Sequence, residues 1–150
     1  MTRRSRAREV ALQVLFQDDL NPKCSPEEGD ALLRRRLKRP ELLEFSRGLV
    51  AGVRRNRGEL DQEIEKTAAH WSLHRMAATD RNVLRLGAYE ILYSDTPGRV
   101  AVNEAVELAK RYGTAHSAQF VNGILDRLMH EQGARDEGRG TGDERREEFV

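Results

Sequence analysis

The amino-acid sequence predicts an all-α fold of about seven helices, followed by a disordered C-terminal tail. Apolar residues recur with helical spacing almost throughout, and no run of alternating polar and apolar residues indicates a strand. From Gly133 onward this pattern stops, because glycines alternate with charged residues and almost nothing apolar precedes Phe149. The length of 150 residues suits one domain, or two small lobes that share a core.

The first three predicted helices cover the N-terminal part of the chain. The first has apolar residues at positions i, i+3, i+4, i+7 and i+8, which form one buried stripe, and it ends near Asp19. Pro26, followed by two glutamates, is typical of the first turn of a short second helix. Pro40 begins a third helix, in which Gly48 and Gly52 lie one turn apart and permit the close approach of another segment.

Four more helices are predicted between Gly58 and the start of the tail. Gly58 separates the third helix from a fourth, whose apolar positions end at Trp71. Residues 80–94 form a fifth helix that is apolar almost all round, which is typical of a central helix in a bundle. Pro97 and the following glycine turn the chain into a sixth helix, and Ser117 begins the seventh. The short loops between the last three helices favour antiparallel neighbours.

The domain boundary follows from the change in composition at Gly133. We expect residues 1–132 to form the folded domain. Residues 133–150 contain too little apolar surface to offset the entropy lost on ordering, so we expect them to form a disordered, charged tail.

The charges are distributed unevenly along the sequence, although they nearly cancel in total. Lys and Arg number 26 and Asp and Glu 25, for a net charge of +1, which excludes a polycationic arm as the whole protein. Residues 1–57 carry 14 basic and 8 acidic side chains, whereas residues 58–132 carry 8 basic and 11 acidic ones. The sequence therefore predicts a positive region and a negative region, and the negative one suits a basic protein partner.

Two clusters of basic residues account for the positive N-terminal region. Such clusters are typical of surfaces that bind polyanions. Arginine-rich helices also form solvated faces, and for the second cluster both interpretations stay open. The first cluster opens a helix, whose free amide groups and dipole also favour phosphate. The first cluster consists of Arg3, Arg4, Arg6 and Arg8, and the second of Arg34, Arg35, Arg36, Lys38 and Arg39.

Several classes of protein are excluded by features that the sequence lacks. No run of 18 apolar residues predicts a membrane span, and the N-terminus lacks the apolar segment of a secretory signal. The single cysteine, Cys24, excludes an internal disulfide and a cysteine zinc site, so the cytoplasm is the simplest compartment. His70 and His74 are spaced as metal ligands on one helix face, but no third ligand is evident. Without a phosphate-binding glycine motif or a nucleophile pair, we expect no enzyme, no metal and no cofactor.

Three stretches of the sequence are more specific than a generic helical bundle. The first is RAREVALQVLF (residues 6–16), the second DRNVLRLGAYE (80–90), and the third NEAVELAK (103–110) with FVNGILD (120–126). In this order and spacing they resemble the NusB family of bacterial transcription antitermination factors, from Arg3 to Leu128. The resemblance implies two small bundles of three to four helices each, packed together.

The resemblance also implies a function in RNA binding. It implies that the chain binds the boxA element of nascent RNA jointly with the ribosomal protein NusE. That complex helps to assemble an antitermination machine on RNA polymerase, notably at ribosomal RNA operons, with no catalytic step and no cofactor.

Other classes of protein remain as alternatives from the sequence. One is a domain of an RNA-modifying enzyme, although the chain leaves no room for a cofactor-binding sheet after the bundle. Another is a helical protein-interaction scaffold without sequence-specific RNA binding. The sequence leaves open whether the free protein is a monomer or a homodimer.

The resemblance assigns residues to two sites. For RNA, positive side chains hold phosphates and aromatic rings stack on bases. Phe16 and Tyr112 are better candidates than Phe120, whose helical spacing also suits the core. His116 stands where relatives can carry an acidic residue, and Leu84, near the start of the central helix, also suits burial. The implied RNA-binding residues are Arg3, Arg4, Arg6, Arg8, Phe16, Tyr112, His116, Ser117 and Phe120, and the implied NusE-binding residues are Asp80, Leu84 and Tyr89.

Overall fold

The part of the chain that the structure describes is entirely helical. The computed structural model describes residues 2–69 and 71–148, and for residues 137–148 it describes the backbone only. No strand is present within those residues, so the all-α prediction is confirmed. Their six α-helices and one short 3₁₀ helix follow in the order α1 (Arg3–Leu20), α2 (Pro26–Arg36), α3 (Pro40–Thr67), the 3₁₀ helix (Leu73–Arg75), α4 (Ala78–Tyr93), α5 (Gly98–Tyr112) and α6 (Ser117–Glu148).

The helices form two bundles of three that share a continuous core. Helices α1, α2 and α3 pack against one another, and α4, α5 and α6 form the second bundle. The bundles meet where α1 and α3 lie against α4 and where α3 also contacts α6. The core cluster runs through both bundles and includes the completely buried side chains of Val10, Leu60, Leu84 and Leu128. The prediction of two small bundles is therefore confirmed.

Helix α4 occupies the centre of the molecule, as its apolar sequence predicts. All residues from Asn82 to Ala88 are buried, and the helix packs against α1, α3, α5 and α6. Gly87 allows the close approach of its neighbours. A Cβ atom at this position would lie 2.5 Å from Leu125 Cδ1 and 3.2 Å from the Cβ of Ala105. A larger residue at Gly87 would therefore separate α4 from α5 and α6.

Helix α3 is one continuous helix where the sequence predicts two. Gly58 lies within α3, and nothing described lies within 4 Å of the place where its Cβ would be. A glycine inside a helix costs about 1 kcal/mol relative to alanine. Burial of Leu60 and Ile64 beyond the glycine outweighs that cost. The predicted fourth helix is thus the C-terminal part of α3, and Trp71 lies beyond the end of that helix.

Gly48 and Gly52 face different surroundings, although they lie one turn apart in α3. The ring of Tyr89 from α4 packs directly on Gly52, where an added Cβ would lie 2.2 Å from Tyr89 Cζ. No described atom lies within 4 Å of the corresponding position at Gly48. The prediction of a close approach is confirmed at Gly52 and wrong at Gly48. The contact at Gly52 fixes α3 against α4, where the two bundles meet.

Most of the C-terminal segment is described by its backbone only. The backbone of α6 continues through Gly133 to Glu148, so the change in composition at Gly133 does not coincide with the end of the helix. Arg135, two residues after Gly133, forms an exposed ion pair with Glu63 of α3, in which a guanidinium nitrogen lies 3.4 Å from a carboxylate oxygen. The disorder expected for residues 133–150 stays a prediction, and residues 149–150 lie outside the described chain.

Candidate nucleic-acid interface

A surface groove lies where α1 meets the ends of α2 and α5 and the start of α4. Its volume is about 320 Å³, and Phe16 of α1 and Tyr112 of α5 both line it. The structure thus brings together two residues that were predicted to stack on bases. The buried side chains of Leu12 and Leu32 supply apolar lining. The remaining lining is polar and comes from Gln13, Gln17, Arg36 and Thr79.

One face of α1 runs from its N-terminal turn to two of the groove-lining residues of that helix, Gln13 and Phe16. Residues separated by three or four positions lie on the same side of a helix. Arg6 precedes Phe16 by ten residues, which is close to three full turns and about 15 Å along the axis. A predicted phosphate-binding arginine and a predicted stacking ring therefore share one face. In order, this face consists of Arg6, Glu9, Gln13 and Phe16.

Glu9 connects the side chains at one edge of this face. Its side chain is only 4% exposed, and it forms ion pairs with Arg6 at 3.1 Å and with Arg111 at 3.3 Å. The hydroxyl of Tyr112 donates a hydrogen bond to the same carboxylate. Burial of the phenol, together with this hydrogen bond, raises the pKa of Tyr112 above its usual value. One buried carboxylate thus positions two cations and an aromatic ring beside the groove.

The four arginines at the start of α1 do not form a single surface. Arg4 and Arg8 are one turn apart and both lie over the ring of Phe45 in α3, at 4.7 Å and 5.1 Å from its centroid. Arg6 belongs to the groove-lining face, and Arg3 is exposed. The cluster divides because successive residues of a helix are rotated by about 100°.

Arg8 is a buried structural residue rather than an exposed phosphate ligand. Its side chain is 4% exposed and donates hydrogen bonds to both carboxylate oxygens of Glu90, at 2.7 Å and 2.9 Å. Glu104 lies 3.7 Å from the same guanidinium. A contact with RNA would require this buried pair to break, at a high cost in free energy. The role implied for Arg8 is therefore corrected: it joins α1 to α4.

The loop between α5 and α6 exposes His116 but not Ser117. Ser117 is buried, and its hydroxyl accepts a hydrogen bond from the N–H of Thr114 at 2.9 Å. A Cβ at Gly113 would lie 2.4 Å from the same hydroxyl oxygen, so the loop closes tightly around it. His116 is exposed. Ser117 therefore shapes the loop from inside, and His116 is the one of the two that a ligand can reach.

Phe120 packs against Trp71 and does not line the groove. The two rings meet edge to face, with centroids 6.1 Å apart and an interplanar angle of 64°. Phe120 is partly buried against the core, whereas Trp71 is 56% exposed. The exposed ring of Trp71 with Phe120 beside it forms a second aromatic surface, and the RNA-binding role implied for Phe120 stays a prediction.

The three residues implied for NusE binding do not form one exposed surface. Leu84 is completely buried, so this implied contact is corrected to a core position. Tyr89 is partly buried, and its ring stacks on Tyr93 with centroids 5.9 Å apart. Asp80 lies in the first turn of α4, where the helix dipole favours a negative charge. Its Oδ1 atom is buried and has no hydrogen-bond partner among the described residues.

The sequence interpretation missed three residues beside the groove, Gln13, Gln17 and Arg111. The two glutamines belong to α1, and their spacing from Phe16 on the same helix was a signal that could have identified them. Arg111 comes from a helix remote in sequence, which only the tertiary structure brings close. Arg36, a member of the second basic cluster, also lines the groove, which its sequence position alone did not indicate.

The described residues hold no group of three or more His, Cys, Asp or Glu side chains suited to a metal ion. His70, one member of the predicted histidine pair, lies outside the described residues. None of the described helices combines the length and the apolar character that crossing a bilayer requires.

The fold and the groove define a class of protein: small all-helical proteins that present a basic, aromatic-lined surface to a nucleic acid. The model of the NusB family matches residues 5–130. Transcription antitermination protein NusB of Bdellovibrio bacteriovorus is 42% identical over 130 residues, which cover 85% of this chain and 96% of that protein. The chain belongs to the NusB family.

Solved structures agree with this assignment. NusB from T. maritima superposes with a TM-score of 0.77 at 38% identity, covering 87% of this chain and 92% of that one. The NusB chain in a crystal structure of the antitermination factors NusB and NusE with double-stranded RNA gives a TM-score of 0.77 at 31% identity. That match covers 87% of this chain and 98% of the other.

Proposed function

We propose that this chain is a transcription antitermination factor that binds boxA-type single-stranded RNA together with ribosomal protein NusE. It then acts in the cytoplasm, as part of a complex on RNA polymerase that supports transcription of ribosomal RNA operons. The family assignment supports the proposal. The solved complex of relatives NusB and NusE with double-stranded RNA supports the choice of NusE and RNA as partners. The observation that carries it is the shared groove of Phe16 and Tyr112, with Arg36 in its lining.

The groove suits a single strand better than a duplex. Bases of a single strand are unstacked and expose flat faces, on which aromatic rings stack. Phe16 and Tyr112 offer two such rings, and the amides of Gln13 and Gln17 can donate to and accept from base edges. Within a duplex the bases stack on one another, so the rings would have nothing to stack on. The function that we propose for the groove is binding, with no catalytic step.

The phosphates of the strand have cationic partners along the same surface. Arg3 is exposed at the start of α1, and Arg6 and Arg111 lie beside Tyr112 through their common partner Glu9. Each of these guanidinium groups carries several N–H donors for phosphate oxygens. An RNA backbone held by these arginines brings its bases to the two rings. The arginines then supply affinity for any sequence, and the rings and glutamines supply selectivity for particular bases.

Fluorescence anisotropy tests this proposal. The labelled RNAs are a boxA-like strand, a scrambled strand of the same composition, and a duplex of the boxA-like strand, each with and without NusE. We expect the boxA-like single strand to bind most tightly, and the preference over the scrambled strand to increase when NusE is present. Equal affinity for both strands in the presence of NusE would contradict the proposal and favour a protein-interaction scaffold.

A further inference from the structure

The C-terminal end of α2 carries a second positively charged surface, of which the function proposed above uses only Arg36. We name it the α2 basic patch. All five of its cationic residues are exposed, and they fall within six consecutive positions. The patch consists of Arg34, Arg35, Arg36, Lys38 and Arg39.

The α2 basic patch is anchored on an ordered surface. Leu33 and Leu37 are 2% and 4% exposed, so the last turn of α2 and the residue after it are fixed to the core. The N–H of Leu37 also donates to the carbonyl oxygen of Leu33 at 2.8 Å, which closes the helix. Because these apolar residues point inward, the charged side chains between and beside them project outward. The backbone that carries them is therefore held in place before any ligand arrives.

The positive charge of the patch is only partly neutralised within the protein. Arg34 lies 3.3 Å from Asp30, and Arg39 lies 3.8 Å from Glu41. The three others, Arg35, Arg36 and Lys38, have no carboxylate partner among the described side chains. The C-terminus of a helix favours cations, but like charges this close repel one another, and that repulsion grows with each addition. A polyanion is the ligand that relieves it, whereas a basic protein would be repelled.

The patch is continuous with the groove through one residue. Arg36 belongs to the patch and also lines the groove that holds Phe16 and Tyr112. On α1, Arg6 lies about 15 Å from Phe16 along the helix axis. Cations therefore lie next to the two rings on α1 and at the end of α2, where the phosphates of a strand that passes over the rings can reach them. This continuity favours RNA over a separate acidic protein as the ligand of the patch.

We propose that the α2 basic patch binds the phosphates of RNA nucleotides that flank the segment held in the groove. The binding footprint then extends beyond the core element in one direction along the strand. The inference rests on the proposed function, because it places the core element in the groove. It adds a second, sequence-independent contact, since phosphates carry no base identity.

The test compares three RNAs and two double variants by fluorescence anisotropy. The RNAs are the boxA-like core strand alone and the same strand with several nucleotides added at its 5′ or at its 3′ end. The test variant is Arg35→Gln/Lys38→Gln, which leaves the groove-lining Arg36 in place. The control is Arg55→Gln/Lys66→Gln, which removes the same charge from exposed positions about 22 Å and 39 Å along α3 from its start.

We expect one of the two extensions to increase the affinity of the wild-type protein and of the control. The test variant should bind the core strand like the wild type but lose that increase. Its log–log salt slope on the extended strand should fall by about 1.4, since each lost phosphate contact removes about 0.7. Circular dichroism and thermal unfolding of both variants verify that the fold is intact.

The possible failures can be told apart. If neither extension increases wild-type affinity, or if test variant and control behave alike on the extended strand, the α2 basic patch is not an RNA contact and the proposal is overturned. If the wild-type protein does not prefer the core strand over its scrambled form, the proposed function itself fails, and this inference fails with it.

Discussion

Two groups of arginines in this protein differ in burial although they look alike in the sequence. Arg8, Arg81 and Arg85 have side chains that are at most 15% exposed, and each is paired with carboxylates. Arg3 and Arg35 are exposed and have no ion-pair partner among the described residues. The first group holds helices together, and the second is accessible to an external anion. Charge clusters in a sequence therefore identify ligand-binding residues only after burial and pairing are known.

The buried group links the two bundles. Arg8 of α1 binds Glu90 of α4, and Arg85 of α4 binds Asp61 of α3 through two hydrogen bonds of 2.7 Å and 3.1 Å. Asp19, near the end of α1, accepts hydrogen bonds from α4. Each pair crosses the junction between bundles, so the relative position of the bundles, and with it the groove, depends on them.

The largest effect is expected when one member of a buried pair is removed. Arg8→Met should lower the free energy of unfolding by about 3–5 kcal/mol, because it leaves the buried carboxylate of Glu90 without its partner. Urea unfolding measures the change. Arg3→Met is the matched control and should alter stability by less than about 0.5 kcal/mol.

A double variant separates charge from packing in the same experiment. Replacing both members of the pair by methionine removes the unpaired charge, so Arg8→Met/Glu90→Met should recover most of the lost stability. If Arg8→Met and Arg3→Met had similar effects, the division of the arginines into two groups would be wrong.

The second effect concerns the pH dependence of stability. Burial alone raises the pKa of Asp19, but hydrogen bonds from Arg81 and Asn82 outweigh it and hold the pKa below its usual value. Because the folded-state pKa is lower than the unfolded value of about 3.9, the stabilisation is complete above that value. It is lost as the pH falls through the folded-state pKa.

Asp19→Asn should therefore cost about 1.5–3 kcal/mol at neutral pH, the range for hydrogen bonds to charged groups. The variant should also lose less stability than the wild type between about pH 5 and pH 2. Thermal unfolding across this range measures both effects, with the exposed Asp95→Asn as control. Parallel pH profiles for wild type and Asp19→Asn would show that this carboxylate does not stabilise the folded state.

The third effect should appear in RNA binding and not in folding. Phe16→Ala should weaken binding of the boxA-like strand by about 1–3 kcal/mol if a base stacks on the ring. Leu20→Ala removes an apolar side chain that is 62% exposed on the same helix and should leave affinity unchanged. Anisotropy titrations on both variants measure the difference, and equal affinities would remove Phe16 from the interface.

The smallest effect tests the exposed arginines directly. Arg3→Gln should reduce the log–log salt slope of RNA binding by about 0.7, the value for one phosphate contact on a single strand. Arg99→Gln, at another exposed position, should leave the slope unchanged. A salt series at constant pH gives the slope for each. Identical slopes for the wild type and Arg3→Gln would exclude Arg3 from the phosphate contacts.

The sequence predicts the helices better than it predicts the site. The apolar circumference of the central helix and the period of α1 follow from local spacing, so both were predictable. The predicted break between two helices at Gly58 was wrong. The free-energy cost of a glycine inside the helix is outweighed by burial of Leu60 and Ile64, and that burial depends on tertiary packing. The helical rotation puts Arg6 and Arg8 on different faces of α1. That the face of Arg8 is the buried one depends on Glu90 of a distant helix, which the sequence does not place.

The central claim is that RNA bases contact Phe16 and Tyr112 in the groove. Nuclear magnetic resonance of protein with labelled Phe and Tyr rings tests it most directly, because the sequence contains only four Phe and three Tyr. On addition of the boxA-like strand, the ring signals of Phe16 and Tyr112 should shift, and those of Tyr89 should not. Unchanged signals of Phe16 and Tyr112 under saturating RNA would contradict the account.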